Sequence, residues 1–166
     1  MRQAVIFDID GTLADISSRL KFIQGKKKDW KTFYEFMGLD TPIRSVCHLC
    51  ATYIGMRKTP IFALYTEVYF VTGRPEKYRD RTIQWLRETF PDLRDMSFDD
   101  GGLYSVHLIM RKNGDHRQDD VVKQEVLENI RKDDVEVLFA VEDRKRVVDM
   151  YRRNGVTCLQ CAEGDF

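Results

Sequence analysis

The 166-residue sequence carries no excess charge of either sign: 27 Lys and Arg face 27 Asp and Glu, for a formal net charge of zero. Attraction of the whole surface to a polyanion is thereby excluded, and any nucleic-acid contact has to come from a local basic patch. No apolar run approaches the length of a membrane span, and there is no internal repeat, low-complexity tract or linker. The first apolar stretch follows almost at once on residue 1, which leaves no room for a signal peptide and makes the cytoplasm the expected compartment. No G-x-x-x-x-G-K-[ST] phosphate loop occurs. Cysteine is scarce, with four residues in two C-x-x-C pairs, Cys47/Cys50 and Cys158/Cys161. Such spacing can bind zinc or do redox work. Here the first pair falls on the apolar stripe of an expected helix. The second is set three apart on an expected strand, so its members face opposite sides. Free thiols in a reducing compartment are the expected state.

What is present is a globular composition, 43% hydrophobic and 33% charged, of a size for one domain with a full core. The chain is organised around residues 4–15, Ala-Val-Ile-Phe-Asp-Ile-Asp-Gly-Thr-Leu-Ala-Asp. Ala4–Phe7 reads as a strand buried on both faces. Asp8 and Asp10 follow it, on one face of an extended chain, and Gly11 allows a sharp turn. Like charges this close are expected to share a cation or a proton. An EF-hand loop does not fit, because its sixth position, counted from Asp8, is Leu13 and a strand precedes it.

Further along, Asp29 can cap a short helix with Trp30, Phe33, Tyr34 and Met37 on its apolar face, after the basic run Lys26-Lys27-Lys28. Thr41-Pro42 reads as a helix start leading into the stripe Ile43, Val46, Cys47, Cys50, Tyr53, Ile54. Residues 57–66 carry no clear signal. Val68–Val71 reads as the second strand, ended by Thr72-Gly73-Arg74-Pro75, and 76–89 as a helix with Tyr78, Trp85, Leu86 and Ile83 inward. Residues 91–103 read as a loop with a turn at 99–102. A third strand is expected over 104–110. A helix capped by Asp119 or Asp120 follows, with Val122, Val126, Leu127 and Ile130. Then come a strand at Val135–Val141, a helix at 144–153 stopped by Asn154-Gly155, and a strand at Val156–Gln160.

Strands alternating with helices predict an α/β fold, a Rossmann-like parallel sheet with helices on both faces and at most a small cap. Ligands of such sheets bind at the carboxyl ends of the strands. Asp8 and Asp10, Thr72 and Arg74, Arg111 and Lys123, and Glu142 and Asp143 would all fall on that edge. The acidic set Asp8, Asp10, Glu142 and Asp143 suits Mg2+, and Thr72, Arg74, Arg111 and Lys123 suit an anion. Together these groups point to phosphoryl transfer. Asp8 can attack phosphorus, and Asp10 can protonate the leaving oxygen and then activate water, a role worth roughly 10²–10⁴ in rate.

Asp8-Ile9-Asp10-Gly11-Thr12, Thr72-Gly73-Arg74, Lys123 and Glu142-Asp143 resemble the four motifs of the haloacid dehalogenase superfamily of phosphohydrolases. The resemblance implies Asp8 as nucleophile, Asp10 as general acid/base with its backbone carbonyl towards the metal, Thr72 and Lys123 on the phosphate, and Asp143 on Mg2+. Residues 111–123 and the tail from Glu142 through Arg153 to Phe166 further resemble the 3′-phosphatase domain of bacteriophage polynucleotide kinase. That resemblance implies functional roles for Arg19, Arg74, Arg111 and Asp119, with Gly73 beside the phosphate. Glu142 departs from the aspartate of the phage pattern, and its longer carboxylate would still reach a metal-bound water. The kinase half has no counterpart, so 5′-kinase activity is not expected. The chain would be a free-standing phosphatase domain or half of a system with a separate kinase.

The function expected is Mg2+-dependent removal of 3′-phosphate from DNA or RNA ends by a single domain over 1–166, in which 14–66 forms a small cap or helical insertion. Arg19, Lys21 and Lys26–Lys28 would line an open site, with a separate kinase or ligase as a further partner and no membrane. Two alternatives stand beside it: a phosphatase of nucleoside monophosphates or another small phosphorylated metabolite, and a non-catalytic module that binds nucleic-acid ends.

Overall fold

An apolar run such as Ala4–Phe7, with no polar alternation, has to be covered on both faces. The computed structural model, which describes residues 2–63, 66–102 and 105–164, supplies that cover. In chain order the elements begin with β1 (Arg2–Phe7), β2 (Ala14–Asp15), α1 (Ser17–Leu20), α2 (Trp30–Glu35), β3 (Thr41–Pro42), α3 (Arg44–Arg57) and α4 (Pro60–Ala63). They continue with β4 (Thr66–Pro75), α5 (Arg79–Thr89), β5 (His107–Arg111), α6 (Asp119–Lys132), β6 (Val135–Arg144), α7 (Lys145–Arg153) and β7 (Thr157–Gly164). Five strands form one parallel sheet in the order β5-β4-β1-β6-β7, with β1 in the middle.

Alternation along β1 splits the core in two. Val5 and Phe7, beside Val68 and Phe70, pack with Cys50 and Ile54 of α3 and Trp85 and Leu86 of α5. Ala4 and Ile6, beside Tyr69 and Val71, face Leu127 and Ile130 of α6 and Val147, Val148 and Tyr151 of α7. Each large side chain so buried stabilises the fold by about 1.5–3 kcal/mol. The expected layer architecture is therefore present, with β4, β6 and β7 each longer at the carboxyl end than the apolar pattern predicted.

Four local expectations are corrected. Thr41-Pro42 is not a helix start: it pairs antiparallel with Ala14–Asp15, and the Ile43 amide donates to Leu13 O at 2.8 Å, so α3 begins at Arg44 with Ile43 as N-cap. Neither Asp119 nor Asp120 caps α6; Gln118 holds that place, and the Asp119 carboxylate turns inward to Arg111 and Lys123. Charged partners outcompete a backbone amide for it. The stripe on α2 is divided, with Phe33 and Met37 in the core and Trp30 41% exposed. The 76–89 helix opens with a 3-10 turn, Glu76–Tyr78, before α5. The predicted third strand begins at Tyr104, which lies outside the described residues. Asp29 caps α2 as expected, accepting from the Thr32 amide at 3.0 Å. All four cysteines are free thiols. Among the described residues no helix is long and apolar enough to cross a membrane.

Candidate active site

The loop after β1 is built by its own backbone. The Ile9 carbonyl accepts from the amides of Thr12, Leu13 and Ala14 at 3.2, 2.9 and 2.8 Å, which turns the chain back within residues 9–14. Gly11 sits at φ +88°, and a Cβ there would overlap the Asp143 carboxylate. Glycine is thus required both by the backbone and by the close approach of β6.

Asp8 is held in place by the sheet itself, its amide donating to Val141 O at 3.1 Å. Its Oδ1 accepts from Lys123 Nζ at 2.7 Å, and the same ammonium reaches Glu142 Oε2 at 2.7 Å and Asp119 Oδ2 at 3.5 Å. Asp143 lies alongside, its Oδ1 accepting from Thr12 Oγ1 at 3.4 Å. Asp8, Glu142 and Asp143 each offer an oxygen within 4.8 Å of the others, and all three are buried. Burial first, then mutual repulsion, pushes Asp8 and Glu142 up to about 7 and Asp143 up to about 6, although Lys123 works against the rise. One ammonium meets Asp8, Glu142 and Asp119, and Asp143 adds a further buried carboxylate beside them, which leaves an excess of buried negative charge. Hard oxygen donors in this arrangement fit a hard divalent cation such as Mg2+.

Asp10 belongs to a different charge cluster. Its Oδ1 accepts from Arg74 Nε at 2.9 Å and from Nη2 of both Arg74 and Arg19 at 2.6 Å. Both arginines also hold Asp40 Oδ2, at 2.7 Å from Arg19 and 3.1 Å from Arg74. Burial alone would raise Asp10, but the two guanidiniums overcome it and bring the carboxyl down to about 2. Asp8 and Asp10, expected to share a cation or a proton, are each paired with different basic side chains. Lys123 serves the first and Arg74 with Arg19 the second. Asp10 accordingly stands outside the three-carboxylate set.

A cleft of about 690 Å³ opens over these groups, with Asp8, Asp10 and Glu142 at its inner end and Gly73, Arg111 and Asp119 beside them. Arg111 Nη2 donates to Asp119 Oδ1 at 2.8 Å, and a Cβ on Gly73 would come 3.0 Å from the same oxygen. Thr72, its Oγ1 accepting from the Arg74 amide at 3.2 Å, is buried behind the wall with Lys123, Arg19 and Arg74. Arg19 was expected to line an open site; it is fully buried under Asp10, and of that basic set only Lys28 reaches the cleft.

Several groups were not found from sequence. Asp40 was hidden before Thr41-Pro42, and its only signal is the need of two buried guanidiniums for a second carboxylate. Gly164, paired with Arg144, crosses so close to Asp143 that a Cβ would overlap its carboxylate. Trp30, Tyr34, Lys77, Tyr78, Arg144 and Arg146 line the cleft.

The family described as the polynucleotide kinase PNKP phosphatase domain matches residues 2–166. Among solved structures, the whole chain superposes on a chain of a Pnkp1/Rnl/Hen1 complex with TM-score 0.70 at 26% identity, covering 47% of that chain. It also matches one in a Pnkp1/Rnl/Hen1 RNA repair complex with TM-score 0.68 at 26% identity, covering 44% of that chain. The chain thus spans less than half the length of both. The HAD domain of the effector Lem4 from Legionella pneumophila shares the fold, with TM-score 0.51 at 14% identity over 99% of this chain and 88% of that one. With four motifs gathered at the carboxyl edge of a haloacid dehalogenase-like sheet and the match running from residue 2 to the end, this chain belongs to the family of PNKP phosphatase domains.

Proposed function

We propose that this chain is a Mg2+-dependent phosphatase that removes 3′-phosphate from nucleic-acid ends through a phosphorylated Asp8. The observation that carries the reading is the Asp8 carboxylate, 2.7 Å from Lys123 and inside a buried three-carboxylate cluster at the inner end of an open cleft. Family membership supports the phosphatase chemistry. The RNA repair complex that contains a similar chain supports an RNA end as substrate and a place in a repair assembly. We also read residues 1–166 as one domain. Within it, 14–66 is a small cap or helical insertion whose α3 packs against the sheet.

Asp8 attacks phosphorus, and the bond to the leaving 3′-oxygen breaks while Asp10 gives that oxygen a proton. Water then attacks the phosphoryl group on Asp8, returning a proton to Asp10 and releasing inorganic phosphate. Held near 2 by two guanidiniums, Asp10 suits the second, basic half-reaction. A bound phosphate adds negative charge beside it and competes for the arginines, which raises its proton affinity for the first half. Lys123 and Thr72 stand behind Asp8 to steady the phosphoryl oxygens, and Arg111, positioned by Asp119, faces the substrate side. Mg2+ would be held by Asp8, Glu142 and Asp143, with only the backbone carbonyl of Asp10 left to offer, and it supplies neutralisation of the transferring group.

The experiment is phosphate release from a 3′-phosphorylated oligonucleotide with and without Mg2+, beside a 3′-nucleoside monophosphate and Asp8→Asn. Metal-dependent release from the oligonucleotide is expected, falling on the order of 10⁴-fold or more in the variant. Retained activity in Asp8→Asn sinks the mechanism. Equal or faster release from the mononucleotide moves the substrate to nucleotide metabolism.

A further inference from the structure

The outer half of the cleft is aromatic and basic where its inner end is acidic. Trp30 stacks on Tyr34 with ring centroids 6.0 Å apart and planes at 24°, and Tyr34 meets Tyr78 at 5.3 Å and 32°. The three rings form one column along the wall of the cleft that holds Asp8. Phe33, itself in the core, braces the indole edge-on at 5.6 Å, so the exposed face of Trp30 is rigidly presented. Ammonium groups flank the column: Lys28 Nζ lies 5.5 Å from the Trp30 ring centroid and Lys77 Nζ 5.0 Å from that of Tyr78. Tyr34 lines the same cleft as Asp8 and Asp10, and burial, followed by the charge of Asp10, raises its hydroxyl to about 12.

Trp30 is exposed and heads a column whose Tyr34 and Tyr78 are half-buried. An aromatic face so backed, in line with ammonium groups, suits a single nucleic-acid strand, whose bases stack on rings and whose phosphates meet cations. We propose that Trp30, Tyr34 and Tyr78 form a stacking platform for the nucleobases that precede the terminal phosphate, with Lys28, Lys31 and Lys77 along the backbone. This rests on the nucleic-acid-end reading above and adds to it the residues that separate a strand end from a small phosphomonoester. Every base has a π-face, so the platform is tolerant of sequence and of sugar. Its ammonium groups make binding fall with salt.

The test compares wild type, Trp30→Ala and Trp30→Phe on a 3′-phosphorylated oligonucleotide and on the same backbone with its last nucleotides abasic. For Trp30→Ala the KM on the base-bearing strand is expected to rise about tenfold with kcat little changed, and Trp30→Phe to stay within about threefold of wild type. On the abasic strand the three proteins should differ far less. An unchanged KM in Trp30→Ala, or an equal rise on both strands, overturns the platform. Fluorescence gives a second readout. The sequence has two tryptophans, and Trp85 is buried. An unphosphorylated oligonucleotide should quench wild type and not Trp30→Phe, and no quenching of wild type also overturns the proposal. Failure of the phosphatase reading looks different: wild type would release no phosphate, while the quenching titration would still decide the platform.

Discussion

Arg19 and Arg74 converge on one atom, each placing Nη2 2.6 Å from Asp10 Oδ1. They share Asp40 behind it, so two guanidiniums and two carboxylates close a buried, balanced cluster. Its effect is to keep Asp10 ionised and to point its carboxylate in one direction.

Removing one of these cations should therefore change the pH profile before it changes anything else. In Arg74→Ala, burial of Asp10 is less compensated and its pKa rises from about 2. A base is active only when deprotonated, so the acidic limb of the rate profile moves to higher pH. At neutral pH Asp10 stays ionised but loses one of its two orienting guanidiniums, and the rate should fall roughly 10²-fold from misplacement. Arg74→Lys keeps the charge but loses the fork, and should fall between the two. The measurement is kcat against pH, which includes hydrolysis of the phosphoenzyme, with thermal unfolding as the check on folding.

Asp143 accepts from the Thr12 hydroxyl at 3.4 Å on Oδ1, and burial, followed by the charge of Asp8, raises it to about 6. Asp143→Asn should therefore raise the melting temperature of metal-free protein while weakening the response to Mg2+. In wild type, Mg2+ at a hundred times its Kd stabilises by about 2.7 kcal/mol. For a chain of this size that is a shift of roughly 5–10 °C. Calorimetry with EDTA and with Mg2+ reads both effects.

Gly11 is the position where backbone and space coincide, at φ +88° with Asp143 against the missing side chain. Gly11→Ala should cost on the order of 1–3 kcal/mol from the backbone alone. It also displaces a carboxylate of the metal-fitting set, so activity should fall by more than stability explains. Urea unfolding and the steady-state rate, measured on the same preparation, separate the two.

A pH effect on stability is expected at the other end of the sheet. Glu67 accepts from Arg2 Nη1 and Tyr69 Oη at 2.9 Å each and lies 3.1 Å from His107 Nε2. Burial opposes its ionisation, but hydrogen bonds from His107 and Tyr69 prevail and bring it from 4.5 to about 2. A depressed carboxylate contributes stability above its unfolded pKa and loses it as pH falls through the folded one. The contribution, roughly 2–3 kcal/mol, should be full above pH about 4.5 and vanish towards pH 2. Glu67→Gln should be less stable than wild type near neutrality and approach it only at about pH 2 and below. Denaturant titrations at several pH values test this.

Much of the site was legible because local signals agree with the fold. Ala4–Phe7 had to be a doubly covered strand, and a parallel sheet brings whatever follows its strands to one edge. That argument alone collected Asp8, Thr72, Arg111, Glu142 and Asp143. Thr41-Pro42 misled because good cap chemistry is local, whereas its pairing partner Ala14–Asp15 is brought to it by the loop after β1. The apolar spacing of α2 identified a helix but not its two environments, core for Phe33 and cleft for Trp30.

The sequence by itself determined the order of the five sheet strands and the main helices between them, the face each β1 residue presents and the chemistry available at the carboxyl edge. Periodicity and residue type are carried by neighbours in the chain. Only the tertiary structure decided which cation answers which carboxylate. Asp8 and Asp10 sit two apart, yet Lys123 takes one and Arg19 with Arg74 the other. Charge pairing falls off with distance in space, and that distance is set by packing of remote segments rather than by position along the chain.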